Sequence, residues 1–411
     1  MRRVAVTGIG LISPLGNGCA DALANATAGR SAVGRIETPW SHRLTTPLAA
    51  CVRFDCEQHF LPQRFRMLDR VSQLALVAAR EAVCEARLDL ATADRARVGV
   101  FIGTGMGGTL STDEGYLSLY QDGCERMKPF SVLLGMTNAP AAWIGIEYDL
   151  SGPNLTYSTA CSSSAVAIGE AWLRLQRGEI DIAVTGGSEA PLSFGAMKAW
   201  EALRTLASED PDDPSASCKP FAANRSGLVL GEGAAILVLE DWERAVARGA
   251  FIHGELLGYG LATDASHITR PTVAGQVCAM RAALCSGDIA ADAIDSINAH
   301  GTGTQANDSV ETAAIKEVFG ERAHRVPVSA TKAMHGHLLG ASGALELALA
   351  LLALQQDVLL PTMHLKVPAD DCDLDYVPNQ ARCGTGARTV MSSSFAFGGT
   401  NAVLVASRDG D

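Results

Sequence analysis

Short apolar runs alternate along the chain with longer stretches in which apolar residues recur every three to four positions. Runs of strand length predict buried β-strands at Val98–Gly103, Ile180–Gly186, Ala234–Leu239, Ser296–His300 and Ala402–Ala406. The helical period predicts α-helices at Val71–Arg87, Ser164–Arg177 and Ala344–Gln355. Because strands alternate with helices, we expect an α/β fold in which the strands pair largely in parallel.

The first residues predict a buried strand, Val4-Ala5-Val6, followed by a turn at Thr7-Gly8. The alternative is a signal peptide, since Met1-Arg2-Arg3 precedes an apolar stretch. Glycine and proline at positions 8, 10, 14 and 16 would interrupt the apolar helix of such a peptide. The strand is therefore favoured.

A weak internal repeat indicates a duplication. The string Leu230–Leu239 resembles Phe397–Val405, and Asp181–Gly187 resembles Asp295–Gly301. The spacings are too variable for a solenoid, so one duplication with a boundary near residue 250 is the economical interpretation. It divides the chain into halves at residues 1–250 and 251–411. Chance similarity of short strings is the alternative.

Composition narrows the class of protein. The 411 residues are 47% hydrophobic and 19% charged, which excludes a disordered chain. The 33 basic and 45 acidic side chains give a formal charge of −12, which argues against a nucleic-acid binder. The eleven cysteines form no C-x-x-C pair, so we expect a reducing cytoplasm rather than disulfides or a zinc site. No uninterrupted apolar run reaches the roughly 18 residues of a membrane span.

Cys161 is the first candidate for chemistry. It lies in Thr159-Ala160-Cys161-Ser162-Ser163, between an extended stretch and a helix of small residues. The unpaired N–H groups at a helix N-terminus favour a thiolate and could hold an oxyanion during acyl transfer. The alternative is a small buried core residue without chemistry.

Two histidine segments supply candidate partners for that cysteine. Asn298-Ala299-His300-Gly301-Thr302 ends a strand, and Thr331-Lys332-Ala333-Met334-His335-Gly336-His337 opens a helix. Strand ends of a duplicated α/β fold could converge on one crevice, which would give a nucleophile two hydrogen-bond donors. A metal site is the rival, but His300 and His337 have no local ligand partner at i+4, so we expect none.

These segments, together with Ser394-Phe395-Ala396-Phe397-Gly398-Gly399-Thr400-Asn401, resemble the β-ketoacyl-[acyl carrier protein] synthase family. The resemblance extends from the Val4-Ala5-Val6-Thr7-Gly8 opening to the C-terminus. It implies a thiolase-like fold, in which two similar α/β halves form five layers, αβαβα. It also implies decarboxylative Claisen condensation between an acyl-enzyme and malonyl on a carrier protein.

The resemblance implies roles for individual residues. Cys161 would be the acylated nucleophile, while His300 and His337 would promote malonyl decarboxylation and stabilise the enolate from neutral nitrogens. Lys332, paired with Glu346, would orient the site, and Asp308 and Glu311 would support it. Thr302, Thr304 and Thr269 would hold the phosphopantetheine arm that arrives on the carrier protein, and no further cofactor is expected. Phe397 would be a gate whose N–H completes an oxyanion hole with that of Cys161, and Met106 would line the acyl pocket.

The sequence also departs from the family pattern. Ala396 stands where glycine is usual, which would stiffen the gate, and Ala222 and Ser226 replace typical acidic residues. His335 receives no catalytic role. An acidic carrier protein needs a basic patch on this acidic chain, and the candidates are Arg64, Arg66 and Arg70, or Arg126 and Lys128. Either group could be an ordinary solvated face.

Alternatives to a fatty-acid-like elongating synthase share the fold. The main one is the ketosynthase subunit of a type II polyketide or polyene system, paired with a chain-length-factor subunit; the first would form a homodimer and the second a heterodimer. A thiolase would carry a second catalytic cysteine where Gly398-Gly399-Thr400-Asn401 stands. A coenzyme A-primed ketosynthase would carry an asparagine in place of His337, and a chain-length subunit would lack Cys161.

Overall fold

A computed structural model describes residues 1–90 and 93–408 of the chain. The strands, in chain order, are β1 (Val4–Ser13), β2 (Gly16–Asn17), β3 (Val33–Arg35), β4 (Leu48–Ala50), β5 (Val98–Gly103), β6 (Asn154–Tyr157), β7 (Ile182–Glu189), β8 (Leu230–Gly231), β9 (Gly233–Asp241), β10 (Gly254–Thr263), β11 (Ser296–Asn298), β12 (Val328–Ser329), β13 (Val358–Leu359), β14 (Arg382–Cys383), β15 (Thr389–Phe395) and β16 (Thr400–Ser407).

Three of the helices cover the three predicted segments, and their ends differ from the predicted ends by at most two residues. In chain order the helices are α1 (Cys19–Thr27), α2 (Pro62–Phe65), α3 (Arg70–Ala86), α4 (Thr109–Tyr120), α5 (Ser131–Gly135), α6 (Ala139–Tyr148), α7 (Ser163–Gln176), α8 (Phe194–Leu203), α9 (Trp242–Ala247), α10 (Val273–Ser286), α11 (Gln305–Phe319), α12 (Lys332–His335) and α13 (Ser342–Gln355). In the described parts of the chain, no helix is long and apolar enough to cross a membrane.

The main sheet repeats one strand pattern twice. Its order is β12-β11-β15-β16-β10-β1-β9-β7-β5-β6, and β2 pairs with β1 outside this path. Read outward from the centre, β1-β9-β7-β5-β6 matches β10-β16-β15-β11-β12, with antiparallel pairs first and parallel pairs at the edge. The two halves are joined by a short antiparallel contact in which Ala5 and Val6 pair with Glu255 and Gly254.

The layers are αβαβα, as predicted. Helices α7 and α13 contact each other and strands of both halves, so they form the central layer. Helix α3 covers the outer face of the first half, and α10 covers that of the second. Three apolar clusters correspond to these interfaces, one around the central helices and one under each outer layer. Because α7 and α13 are buried by both halves, their N-terminal ends meet inside the molecule.

Two predictions about the sheet were wrong. Pairing is mixed rather than largely parallel, because β9 and β16 each return antiparallel to both neighbours. The first pair of similar strings, Leu230–Leu239 and Phe397–Val405, lies at the equivalent strands β9 and β16. The second pair, Asp181–Gly187 and Asp295–Gly301, relates β7 to β11, although the equivalent of β7 is β15. The predicted division near residue 250 falls between α9 and β10 and stays a prediction.

The predicted turn at Thr7-Gly8 was also wrong, since β1 continues through Gly8 and Gly10 to Ser13. A Cβ on Gly8 would lie 2.1 Å from the carbonyl oxygen of Ala82, and one on Gly10 would lie 2.0 Å from that of Ala78. The glycines therefore let the α3 backbone approach the strand instead of turning the chain.

Candidate active site

The two halves bring Cys161, His300 and His337 together. Cys161 lies in a short 3-10 turn, Ala160–Ser162, between β6 and α7. His300 follows β11, and His337 lies between α12 and α13, after β12. Since β6 and β12 are equivalent strands, Cys161 and His337 precede the two central helices. One donor atom from each of the three side chains lies within 4.8 Å of the others, and all three residues are buried.

Burial works against ionisation of Cys161 in this environment. Burial raises the pKa of Cys161 to about 11, while Lys332 and the backbone N–H groups of Phe397 and Cys161 oppose the rise. Burial thus opposes the thiolate that the helix N-terminus was predicted to favour, while the N–H groups and Lys332 act in the predicted direction, and the predicted thiolate stays a prediction. The opposing N–H groups are the two that were predicted to form the oxyanion hole.

Both active-site histidines are neutral and present the same tautomer. Burial, followed by the charge of Lys332, holds the pKa of His300 and of His337 well below 6.5. Nδ1 of His337 accepts a hydrogen bond from the N–H of Leu339 at 3.2 Å and lies 2.9 Å from the Ser342 hydroxyl. Nδ1 of His300 lies 3.4 Å from the Lys332 ammonium. These donors leave the proton on Nε2 of each ring, so each ring can donate a hydrogen bond to an anion.

Lys332 and Glu346 form a buried ion pair beside His300. The Lys332 ammonium donates to the Glu346 carboxylate at 2.5 Å and to the carbonyl oxygen of His300 at 2.6 Å. Burial raises the pKa of Glu346, and Lys332 counteracts that rise. The pair fixes the His300 backbone and holds a positive charge next to both rings, in agreement with the predicted pairing.

Asp308 and Glu311 organise the loop that carries His300. Glu311 accepts hydrogen bonds from the N–H of His300 at 2.7 Å and of Gly301 at 2.9 Å. Asp308 accepts from the N–H of Thr302 at 3.2 Å and of Phe221 at 2.8 Å. Burial raises the pKa of Asp308 to about 6 and of Glu311 to about 7. Both carboxyls support the site from behind and do not line its cavity.

The three predicted phosphopantetheine threonines line one cavity with the reactive residues. This cavity, of about 60 Å³, is lined by Cys161, Leu228, Asp264, His267, Ile268, Thr269, Arg270, Pro271, His300, Thr302, Thr304, Ala306, Asn307, His337, Phe395, Ala396, Phe397 and Gly399. The hydroxyls of Thr302 and Thr304 lie 2.9 Å apart, and Thr304 also caps the N-terminus of α11. Met106 lies outside this cavity, in an apolar cluster that includes Cys161.

Two departures from the family pattern, Ala222 and Ser226, take part in local hydrogen bonds. Ser226 accepts a hydrogen bond from the N–H of Ser208 at 3.1 Å, a role open to a hydroxyl as well as a carboxylate. Arg225, beside Ala222, donates to the carbonyl oxygen of Ala222 at 3.0 Å and to the Ser309 hydroxyl at 2.9 Å. His335 is buried against the Thr331 hydroxyl, at 2.9 Å, and does not line the cavity.

Glu189, at the end of β7, is an organising residue that the sequence analysis missed. Its buried carboxylate accepts hydrogen bonds from the N–H of Gly105 at 2.6 Å, of Met106 at 3.0 Å and of Gly340 at 2.9 Å. It thus joins the loop of Met106 to the turn after His337. The only signal in the sequence was a carboxylate at the end of an apolar strand, Thr185-Gly186-Gly187-Ser188-Glu189.

The Cys-His-His cluster has the donor atoms of a metal site but not its surroundings. Histidines that bind a metal usually donate their second N–H to an acceptor. Here the second nitrogen of His337 faces the N–H of Leu339, and that of His300 faces the Lys332 ammonium. A buried thiol and a nearby ammonium also disfavour a cation. The donor set fits an anion better than a metal.

Comparisons with known proteins identify the family of the chain. The N-terminal domain model of the beta-ketoacyl synthases matches residues 1–245, and the C-terminal domain model matches residues 253–366. The chain is 42% identical over 403 residues to Nodulation protein E of Rhizobium meliloti, covering 98% of each. It is 41% identical over 410 residues to 3-oxoacyl-[acyl-carrier-protein] synthase 2 of Staphylococcus aureus, again covering 98% of each.

Solved structures give the same answer. A beta-ketoacyl synthase from Burkholderia phymatum has a TM-score of 0.92 at 35% identity, and the ishigamide ketosynthase/chain length factor has 0.90 at 35%, each over the full length of both chains. The chain therefore belongs to the beta-ketoacyl synthase family and has its thiolase-like fold. It is an acyltransferase that forms carbon–carbon bonds, an elongating ketosynthase.

Proposed function

We propose that this ketosynthase condenses an acyl group on Cys161 with malonyl carried by an acyl carrier protein. The observation that carries the proposal is the buried cluster of one thiol and two neutral histidines within 4.8 Å. A condensing enzyme needs a nucleophile and two sites for oxyanions that form in succession, and it needs them away from water.

In the first half-reaction, the Cys161 sulfur attacks the thioester carbonyl of the acyl donor. The carbonyl oxygen becomes an oxyanion that the N–H groups of Cys161 and Phe397 receive. The carrier thiolate then leaves and takes up the proton that Cys161 lost, so charge balances. Because burial raises the pKa of Cys161 to about 11, proton removal accompanies the attack rather than preceding it.

In the second half-reaction, the malonyl thioester loses CO₂ and becomes an enolate. Its oxygen accepts hydrogen bonds from Nε2–H of His300 and His337, while Lys332 adds a positive charge nearby. The enolate carbon attacks the acyl carbonyl on Cys161, a carbon–carbon bond forms, and the sulfur leaves as the thiolate and is reprotonated. No metal or redox group is needed, since loss of CO₂ supplies the electron pair.

An acyl carrier protein is the proposed donor of both groups, since the Staphylococcus aureus relative is a 3-oxoacyl-[acyl-carrier-protein] synthase. We propose the exposed basic residues of the two predicted patches as the docking site, since two of the other arginines are held in ion pairs. Arg70 pairs with the buried Glu232 at 2.7 Å, and Arg64 pairs with Glu147. Arg66 and Lys128 are exposed and line one groove, which joins the two predicted patches into one.

A second ketosynthase-like subunit is the other proposed partner. Among the described strands, β6 ends the sheet and pairs only with β5. Nearby helices expose an apolar face, defined here as Tyr116, Leu117, Tyr120, Phe130, Val132 and Leu133. Such a surface is typical of a subunit interface. Both a homodimer and pairing with a chain-length-factor subunit would cover it, and the similarity to the ishigamide ketosynthase/chain length factor supports the latter.

The eleven cysteines are all free, six of them exposed. A reducing compartment keeps such thiols unpaired, which supports the cytoplasm as the proposed location. No cofactor of this chain's own is proposed, because the phosphopantetheine arm arrives on the carrier.

The direct test measures the two half-reactions separately. Incubation with acyl-carrier protein should add the acyl mass to the Cys161 peptide, and the same acyl group on coenzyme A should react more slowly. Cys161→Ser should lose acylation by at least about 100-fold, because an alcohol is a weaker nucleophile than a thiol. His337→Ala should acylate normally but decarboxylate malonyl about 100-fold more slowly. A folded wild-type protein that is not acylated would refute the proposal.

A further inference from the structure

Trp200, on α8, stacks on the proposed gate residue Phe397. The ring centroids are 6.1 Å apart and the planes differ by 24°. This is an offset-stacked pair within the range in which aromatic rings attract each other. Both side chains are partly buried. The contact joins the loop after β15 to a helix of the other half, more than 190 residues away in sequence.

Helix α8 is a fixed support for Trp200. The Glu201 carboxylate accepts hydrogen bonds from the N–H of Thr45 at 2.5 Å and of Thr46 at 3.3 Å, and it pairs with Lys198 at 2.5 Å. Lys198 also donates to the carbonyl oxygen of Arg43 at 3.3 Å. These bonds tie α8 to the segment before β4. A second attachment is to α4, where the Asp113 carboxylate accepts a hydrogen bond from the N–H of Gly195 at 2.9 Å.

The loop that carries Phe397 is bonded to an exposed segment rather than to a helix. The N–H of Gly398 donates to the carbonyl oxygen of Ile268 at 2.7 Å, and the N–H of Asp264 donates to that of Gly399 at 2.9 Å. The Ile268 side chain is 72% exposed. Gly398 and Gly399 both have positive φ, 85° and 79°, a conformation that only glycine adopts freely. The stack therefore adds a ring on α8 to these backbone bonds, so it acts on the position of the loop.

In the loop position that the stack favours, the N–H of Phe397 completes the acyl-transfer site. The Phe397 side chain then closes the condensation site. The N–H of Phe397 lowers the pKa of Cys161, which requires that it point to the sulfur. The cavity between Phe397, Cys161 and the two histidines is about 60 Å³, room for only a few water molecules. Because Phe397 forms part of the wall of this cavity, movement of its loop would enlarge the space beside the two histidines.

We propose that Trp200 is a positioning residue that holds the gate closed until Cys161 is acylated, and so prevents decarboxylation of malonyl on the free enzyme. The inference rests on the proposed function. In the wasted reaction, malonyl thioester would lose CO₂, and the enolate would take a proton from water and leave as the acetyl thioester. Opening the loop breaks the contact between the two rings. The stack therefore disfavours the open loop and, with it, this reaction.

The test measures CO₂ release from malonyl-carrier protein by unacylated enzyme. Trp200→Ala removes the stack, whose strength corresponds to a change of about three- to tenfold in the open population. Uncoupled CO₂ release should rise by that factor, and kcat/KM for acylation should fall by a similar factor. Trp200→Phe, which keeps a ring, should restore most of the coupling. Trp200→Leu keeps apolar volume without a ring and should behave like Trp200→Ala, which covers misfolding of the smaller variant.

Trp242, on α9, provides the matched control. It is a partly buried tryptophan like Trp200, but its ring contact is with the Arg3 guanidinium, 4.1 Å from the ring centroid. Trp242→Ala should leave the ratio of uncoupled CO₂ release to acylation unchanged. An equal rise in Trp242→Ala, or no rise in folded Trp200→Leu, would overturn the inference. If wild-type enzyme is not acylated at all, the proposed function fails instead.

Discussion

At the scale of single residues, burial dominates the candidate site. It raises the pKa of Cys161 and lowers the pKa of His300 and of His337. In the proposed mechanism, N–H groups meet negative charge that appears only during reaction. Donors that are already oriented need no rearrangement when that charge forms. Under that proposal, the site would stabilise the charged states of the reaction more than the resting state.

The protonation of Cys161 makes a pH prediction. Below its raised pKa of about 11, the thiolate fraction grows tenfold with each pH unit. Alkylation of Cys161 by iodoacetamide should therefore accelerate about tenfold per unit between roughly pH 7 and pH 9. Peptide mass spectrometry measures the rate at this residue, and Cys161→Ala supplies the blank. A plateau below pH 8 would mean that the resting protein holds a thiolate.

At the scale of elements, the site depends on the two equivalent turns that precede α7 and α13. The N–H of Ala344 in α13 donates to the hydroxyl of Ser164 in α7 at 3.0 Å, so the two helix starts are in direct contact. The outer helix α3 sets the position of β1 by the close approach at Gly8 and Gly10. Backbone-to-backbone packing of this kind leaves no room for even one methyl group.

Gly10→Ala should therefore destabilise the protein. The new Cβ would lie 2.0 Å from the carbonyl oxygen of Ala78 and 2.6 Å from the nitrogen of Ala82. Neither backbone group can move away without shifting α3, so the free energy of unfolding should fall by roughly 3 kcal/mol. Urea denaturation measures the change. Gly34→Ala in β3 is the control, because a Cβ there meets nothing within 4 Å, and an equal loss in both variants would contradict the packing argument.

At the scale of the whole molecule, the two end strands of the main sheet, β6 and β12, each pair on one side only within the described chain, and an apolar face lies exposed near β6. Leu155 on β6 is 38% exposed and Val132 on α5 is 77% exposed. Covering such surfaces removes apolar area from water, which favours association. A second subunit on this side would also extend the sheet beyond β6.

Size-exclusion chromatography with light scattering should find two chains in the wild-type particle. Val132→Asp should release monomers, because it places a charge in the covered apolar face. Val246→Asp on α9 is the matched control, since Val246 is 52% exposed and lies on another side of the first half. A wild-type monomer that pairs only with a co-expressed second ketosynthase-like subunit would favour the heterodimer. A dimer that survives Val132→Asp would place the interface elsewhere.

Apolar periodicity and short motifs are local, so they could be read from the sequence. Three of the thirteen described helices, α3, α7 and α13, were predicted to within two residues, and Cys161, His300 and His337 were singled out. The mixed strand pairing and the course of β1 through Gly8 and Gly10 appear only in the folded chain. So do the burial that raises the pKa of Cys161, the contacts of Glu189 and the stack of Trp200 on Phe397. Each of these depends on burial or on contacts between distant segments, and desolvation and close packing exist only once the two halves have come together.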